Sequence, residues 1–307
     1  MVHRQSGLVA AAARSRRTLL KVAIVGAGGR LGAALLRVYR GKFDVIGFNH
    51  AQLDLASDQQ VDDKLAPLDF DALINCAAFT NVDLCETERD QAFRINAEAP
   101  RRLAEICSAK RAQLVHISTD YVFDGEKRQP YTEEDAPRPI SVYAESKRAG
   151  EENVLAVEDR HLVLRVSWVF GPDRASFVDA MIKRARESEH IEAVADKFSA
   201  PTYTHDIANA VESLLENRPG GILHFANAGD CSWQQYAQHA IDCCLSSGVP
   251  MKAKTVRAMK LSEMKNWVAR RPVYSVLSTA KYHALTGRSA RSWQDAVAEY
   301  VRDFVRL

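Results

Sequence analysis

The 307-residue chain has no apolar run of 18 residues or more, so no segment is long enough to span a bilayer as a helix. Cysteine is sparse and unpatterned. Cys76, Cys85, Cys107, Cys231, Cys243 and Cys244 form no C-x-x-C pair and no zinc spacing. Most lie within apolar runs, where a free thiol packs as a small hydrophobe, which predicts a reduced, cytoplasmic protein without a metal site. An excess of one charge is also missing. The net charge is +2, and residues 1–21 carry five basic groups (Arg4, Arg14, Arg16, Arg17, Lys21) and no acid. Taking those five away leaves −3, so the body is mildly acidic and has no electrostatic footprint for nucleic acid. No repeat, low-complexity tract or Pro/Gly-rich linker interrupts the chain. What is present is 47% hydrophobic residues, enough for a large core, which excludes global disorder.

The basic start requires its own reading. Ser15-Arg16-Arg17-Thr18-Leu19-Leu20-Lys21 looks like a twin-arginine export signal, and an Arg-rich, acid-free start also resembles a transit peptide. An export signal needs an apolar stretch next, whereas Val22-Ala23-Ile24-Val25-Gly26 reads as a strand entering a turn. Residues 1–20 are therefore expected to be a disordered extension.

From Lys21 onward, short β-branched runs alternate with helical periods. Val22–Val25, Val45–Phe48, Ala72–Asn75, Leu114–Ile117 and Leu162–Val166 read as strands. Leu31, Leu35 and Val38 recur at helical spacing, Ser57–Leu65 is a polar helix, and Ala92–Ala109 reads as one long helix. Near-continuous apolar strands with intervening helices predict a doubly wound parallel sheet. After Gly171 the rhythm loosens into helices near Phe177–Glu187, Asp206–Glu216 and Trp233–Leu245, with Ile222–Phe225 between the last two. Ser289–Leu307 forms an amphipathic helix. The expected plan is a nucleotide-binding domain over 21–170, with a return segment near 203–227. A smaller C-terminal lobe takes 171–202 and 228–307.

Gly26-Ala27-Gly28-Gly29-Arg30-Leu31-Gly32 sits where the first strand hands over to a helix. Glycines there allow a tight turn and close approach of a pyrophosphate, whose charge rests on the helix N-terminus. Gly26, Gly29 and Gly32 fit G-x-x-G-x-x-G, whereas Leu31 stands where G-x-G-x-x-G needs its last glycine. The turn predicts a Rossmann-type dinucleotide site.

Tyr143-Ala144-Glu145-Ser146-Lys147 places a phenol and an ammonium on one helical face. Alone, such a pair is an ordinary surface contact. Ser118-Thr119 raises its meaning, because the two close the fourth strand, and strand ends in open α/β sheets face the ligand crevice. Ser118 or Thr119 is expected beside Tyr143. A nearby Lys cation would lower the phenol from its free value near 10, fitting it to donate a proton to a developing alkoxide.

At this point the sequence resembles the extended short-chain dehydrogenase/reductases, and within them the dTDP-4-dehydrorhamnose reductase family, over about residues 21 to 305. The resemblance rests on Asn75–Asp83, Asn96–Pro100, Ser118–Gly125, Arg165–Gly171, Ser199–Thr202 and Arg271–Ser275. It implies an NAD(P)H-dependent nucleotide-sugar oxidoreductase. Tyr143 would be the proton donor, Lys147 its partner and a holder of the nicotinamide ribose, and Thr119 a hydrogen-bond donor to the substrate carbonyl. Asn96 would extend a proton relay from Lys147. Gly26, Gly29, Arg30, Leu31, Gly32, Asn49, Asp54, Leu55, Ala77, Ala78 and Thr80 would contact the cofactor, with Asp54-Leu55 flanking the adenine. Val82, Asp83, Asp120, Tyr121, Trp168, Thr202 and Arg271 would meet the sugar nucleotide. Asn75 and Asn96 also read as ordinary turn or cap residues, and Trp168 as plain core.

The chain departs from the family in places. Lys197-Phe198-Ser199 replaces the usual Gln-x-Gly, Ala144 follows Tyr143 where Gly is common, and Cys231–Arg270 matches weakly. Lys197 reads as a phosphate partner or a solvated surface charge, the second being favoured. The second strand ends in Phe48-Asn49-His50 with no acid to grip a ribose 2′-hydroxyl, and Arg30 or His50 would attract a 2′-phosphate. NADPH is therefore favoured, with NADH as the alternative. The expected partner is a small nucleotide sugar, with a homodimer left open. Two other functions compete. One is a non-catalytic NADP-binding subunit like the β subunit of methionine adenosyltransferase, and the other is a nucleotide-sugar epimerase or dehydratase. A dehydratase usually carries an acid after the fourth-strand Ser/Thr-Asp, where this chain has Tyr121.

Overall fold

The computed structural model describes residues 19–265 and 267–305. The expected extension falls almost wholly outside them. Elements run β1 (Lys21–Val25), α1 (Arg30–Tyr39), β2 (Asp44–Phe48), α2 (Asp58–Leu65), β3 (Ala72–Asn75), α3 (Val82–Thr87) and α4 (Arg89–Phe93). A π-turn (Arg94–Glu98) then leads into α5 (Ala99–Ala109), β4 (Gln113–Thr119), α6 (Val142–Val157) and β5 (Leu162–Val166). Next come β6 (Val169–Phe170), α7 (Phe177–Glu187), β7 (Ile191–Val194), β8 (Phe198–Ser199), β9 (Thr202–Tyr203), α8 (Thr204–Asn217) and β10 (Gly221–Phe225). The C-terminal part holds β11 (Cys231–Ser232), α9 (Trp233–Ser246), β12 (Val256–Met259), α10 (Ala280–Thr286) and α11 (Trp293–Phe304).

Six strands form one parallel sheet in the order β10-β5-β4-β3-β1-β2. The order reverses between β1 and β3, the switch point at which an open α/β sheet leaves a crevice beyond its strand C-termini. Val22, Ile24 and Val115 face α1 and α8 with Leu31, Leu35 and Leu214, whereas Ala23, Val25 and Leu114 face the opposite cluster with Leu103 and Cys107. This two-sided burial makes the expected doubly wound α/β sheet, and it explains why its strands are almost uniformly apolar.

The expected helix over Ala92–Ala109 is three pieces. Pro100 lies in the first turn of α5, where its missing N–H costs nothing, and the π-turn supplies the extra residue before it. Beyond the sheet, a second core joins Phe170, Tyr203, Tyr236, Trp293, Val297 and Tyr300 from α9, α11 and the β6/β9 pair. The chain weaves between the parts: Tyr282 of α10 packs into the core of the large sheet.

Candidate active site

The β1–α1 turn is built for close approach. Gly26 has φ +82°, and a Cβ there would lie 2.6 Å from the Ala77 backbone nitrogen. At Gly32 a Cβ would lie 2.3 Å from the Gly26 carbonyl oxygen, so α1 can start this close to the turn only with glycine. The turn is tied to the end of β2, where Gly26 and Ala27 both donate to the Phe48 carbonyl at 2.9 Å. Asn49 therefore stands against Gly28, its Cβ 3.1 Å from where a Gly28 side chain would begin. Ala77 and Ala78 are half-buried beside this turn, Asp54 is half-buried, and Leu55 is buried in the core with Phe48 and Val25.

The end of β4 sets the chemistry. Strand alternation points Ser118 and Thr119 to opposite sides, which resolves the choice between them. Ser118 donates to Glu151 at 2.6 Å, inside a buried network in which Arg165 grips both Glu151 oxygens. The Thr119 hydroxyl instead donates to Asp120 Oδ1 and accepts from the Tyr121 N–H, both at 3.2 Å, and lines one cleft with the Tyr143 phenol. Ser141 caps α6, placing Tyr143 in its first turn and Lys147 one turn on. Burial raises Tyr143 above its ordinary value, and the Thr119 hydroxyl counters this. The Lys147 ammonium turns to the strand. It donates to the Ile117 carbonyl at 2.7 Å and lies 3.4 Å from His116 Nε2. Burial pulls Lys147 down to about 8, with Glu151 opposing.

Asn75 and Asn96 are more than turn or cap residues. Asn75 Oδ1 accepts from Ala77 N–H, so its Nδ2 faces His116 Nδ1 at 3.1 Å. Asn96, buried in the π-turn, brackets Phe79 by accepting from its N–H at 2.8 Å and donating to its carbonyl at 3.0 Å. It also donates to the Ser146 hydroxyl at 3.0 Å. It thus fixes the loop after β3 against α6.

Tyr143 and Thr119 open into a cleft that they share with Thr80, Val82, Asp120 and Tyr121, walled by Trp168, Lys197, Ser199 and Trp233. Trp168 carries φ +41°, a strained conformation for so bulky a residue, and its ring stacks on Trp233 at 5.4 Å. It is half-buried rather than plain core. The cleft floor is charged. Asp120 Oδ2 accepts from Ser167, Ser199 and Ser275, and burial raises its carboxyl above the usual range.

Lys197 corrects the sequence reading. It is 1% exposed, donates to the Pro272 carbonyl at 2.8 Å and stands 5.1 Å over the Tyr121 ring. Burial lowers it to about 8, with Asp120 opposing. Lys197, Ser199 and Trp233 are cleft residues that the sequence reading did not assign. Lys197-Phe198-Ser199 carried the signal, as a departure from Gln-x-Gly. Trp233 carried none, lying in the weakly matched stretch.

Other expected contacts sit apart from the cleft or engage one another. Arg271 forms a bidentate pair with Asp83 at 2.7 and 3.0 Å, which also accepts from the N–H groups of Val268 and Ala269. The Arg271 bonds hold Asp83 down to about 2. Thr202 is buried behind Trp168, its hydroxyl donating to the Ala200 carbonyl at 3.0 Å. Arg30 spends its guanidinium on the carbonyls of Val169, Arg174 and Ala175. Leu31 is buried in the α1 core.

This geometry can be set against known proteins. The family model described as the RmlD substrate binding domain matches residues 20–306. The chain belongs to the dTDP-4-dehydrorhamnose reductase family. It is 36% identical to the spore coat polysaccharide biosynthesis protein SpsK of Bacillus subtilis, over 93% of this chain and 98% of that one. The dTDP-4-dehydrorhamnose reductase of Mycolicibacterium smegmatis is 35% identical, over 92% of this chain and 85% of the relative. Among solved structures, a Bacillus anthracis dTDP-4-dehydrorhamnose reductase in complex with NADP superposes with a TM-score of 0.86 at 33% identity. It covers 93% of this chain and all of that one.

Proposed function

We propose that this protein is an NADPH-dependent reductase that converts the C4 ketone of dTDP-4-dehydro-L-rhamnose to the alcohol of dTDP-L-rhamnose, with Tyr143 as proton donor. The observation that carries the reading is that Tyr143 and Thr119 line one cleft at the same sheet edge as a turn in which Gly26 and Gly32 leave no room for a Cβ. That cradle fits a dinucleotide: Gly26, Gly29 and Gly32 keep the backbone clear. The first N–H groups of α1, at Arg30 and Leu31, suit a pyrophosphate. Asn49, Asp54, Leu55, Ala77, Ala78 and Thr80 would hold the adenosine and nicotinamide halves, and Tyr143 with Lys147 the nicotinamide ribose. No carboxylate stands at Asn49 to repel a 2′-phosphate.

When bound, the dihydronicotinamide supplies the hydride that C4 requires. The residues supply the rest. Thr119 and Tyr143 both offer O–H donors, so the ketone oxygen is polarised as negative charge develops on it. Burial keeps the phenol protonated at neutral pH, the form a donor needs, and the Tyr143 proton moves to that oxygen. Lys147, cationic below about 8, favours the phenolate left behind. Val82, Asp120, Tyr121 and Trp168 would bind the sugar, with Asp83, Thr202 and Arg271 supporting or extending that site. The test is to add dTDP-4-dehydro-L-rhamnose to the purified protein with NADPH. Cofactor oxidation with dTDP-L-rhamnose as product supports the reading. Bound NADPH that is never oxidised in the presence of that sugar overturns it.

A further inference from the structure

The segment between β6 and α7 lies across the dinucleotide turn. Arg30 stitches it down through the carbonyls of Arg174 at 3.1 Å and Ala175 at 2.5 Å, and reaches the Val169 carbonyl of β6 at 3.3 Å. Arg37 grips Asp173 with two bonds, at 2.9 and 3.1 Å. Arg174 then reaches back, its Nε donating to the Gly28 carbonyl at 2.6 Å. One terminal nitrogen, Nη2, stands 4.0 Å from where a Gly28 Cβ would be, and Asn49 Cβ lies 3.1 Å from the same point. The missing side chain of Gly28 thus leaves a recess, with the end of β2 on one side and a guanidinium on the other.

In a βαβ nucleotide site the end of the second strand faces the ribose 2′ position. Three cations compete to read a 2′-phosphate there. Arg30 is committed to backbone carbonyls, and His50 stands 3.8 Å from the Asp54 carboxylate. Arg174 differs. Among the described residues no carboxylate forms an ion pair with it, because the neighbouring Asp173 is taken by Arg37. Its terminal N–H groups are planar and forked, the geometry that suits phosphate oxygens.

We infer that Arg174, delivered from the β6–α7 segment, is the specificity-determining residue for the 2′-phosphate of NADPH, in place of a basic side chain on β2 or on the turn itself. This rests on the dinucleotide reading proposed above. It also gives Gly28 a reason: any side chain there would compete with the phosphate for the recess.

The experiment measures dissociation constants of NADPH and NADH by fluorescence titration at one salt concentration, on the parent and on Arg174→Gln and Arg174→Lys. Thermal melting of each protein checks that the segment stays folded. Arg174→Gln is expected to weaken NADPH about tenfold or more, equivalent to about 1.4 kcal/mol, while NADH stays within about twofold. Arg174→Lys keeps the charge without the fork and should fall between. An equal loss for both dinucleotides makes Arg174 a latch for the segment and overturns the inference, as does an unchanged NADPH constant. A parent protein that binds neither dinucleotide overturns the dinucleotide reading instead.

Discussion

Replacing Gly32 by alanine tests the dinucleotide turn at its tightest point. The new methyl would sit 2.3 Å from the Gly26 carbonyl oxygen and 2.8 Å from its carbon, and its three nearest neighbours are all backbone. A carbon–oxygen contact relaxes only at about 3.3 Å, so α1 and the turn must part by roughly 1 Å. Overpacking of that kind costs about 1–3 kcal/mol. At about 2–4 °C per kcal/mol for a domain of this size class, the melting temperature should fall by roughly 2–12 °C. Binding should suffer more than stability. The N–H groups that start α1 would lose alignment with a pyrophosphate, and a hydrogen bond to a charged group is worth about 1.5–3 kcal/mol. NADPH affinity should therefore drop roughly 10- to 100-fold, read by fluorescence titration. Gly41→Ala is the control. Its φ is +80° with nothing within 4 Å, so it should cost about 1 kcal/mol of strain and leave NADPH binding unchanged. A Gly32→Ala protein that binds NADPH within twofold of the parent would refute the cradle.

Four further outcomes follow from the same geometry. Tyr143→Phe should lower turnover roughly 10²–10⁴-fold with little change in NADPH affinity, and a variant within about threefold of the parent would remove the phenol from the reaction. Lys197→Met leaves Asp120 buried with only hydroxyl partners. It should cost about 2 kcal/mol in urea unfolding, less than a broken buried pair because three serines still serve the carboxylate, and an unchanged midpoint would contradict the buried charge. Activity should decline as pH rises through about 8, where Lys147 loses the cation that favours phenolate, and the limb should persist in Lys197→Met. A pH profile flat to 10 would show that the cation is not used. Asn49→Asp sets a carboxylate against the 2′ position, so the ratio of NADPH to NADH affinity should shift towards NADH by about tenfold. An unmoved ratio would mean that Asn49 lies away from the ribose.

Much of the fold is legible because its signals are local. The apolar runs of β1, β3, β4 and β5 mark strands buried on both faces, and the glycines at 26, 29 and 32 mark the turn that only close backbone contact explains. The Tyr143–Lys147 spacing and the Ser118-Thr119 strand end likewise point to one edge. The less legible features depend on partners distant in sequence. The departure at Lys197-Phe198-Ser199 marks the place but not the burial, because Asp120 and the Pro272 carbonyl reach Lys197 only through the folded chain. The direction of the Lys147 ammonium is set by the Ile117 carbonyl, not by the helix that carries both it and Tyr143. Trp168 is sent into the cleft by a left-handed backbone angle that its residue type disfavours. Periodicity also carries the Ala92–Ala109 helix straight through a π-turn, since one inserted residue barely disturbs an apolar stripe.

The most direct measurement follows the hydride itself. The protein would be incubated with dTDP-4-dehydro-L-rhamnose and NADPH deuterated at the transferring C4 position, and the sugar product examined by NMR and mass spectrometry. The expected product is dTDP-L-rhamnose one mass unit heavier, with deuterium at sugar C4 only. Product without deuterium, deuterium at another carbon, or no reduced sugar would contradict it.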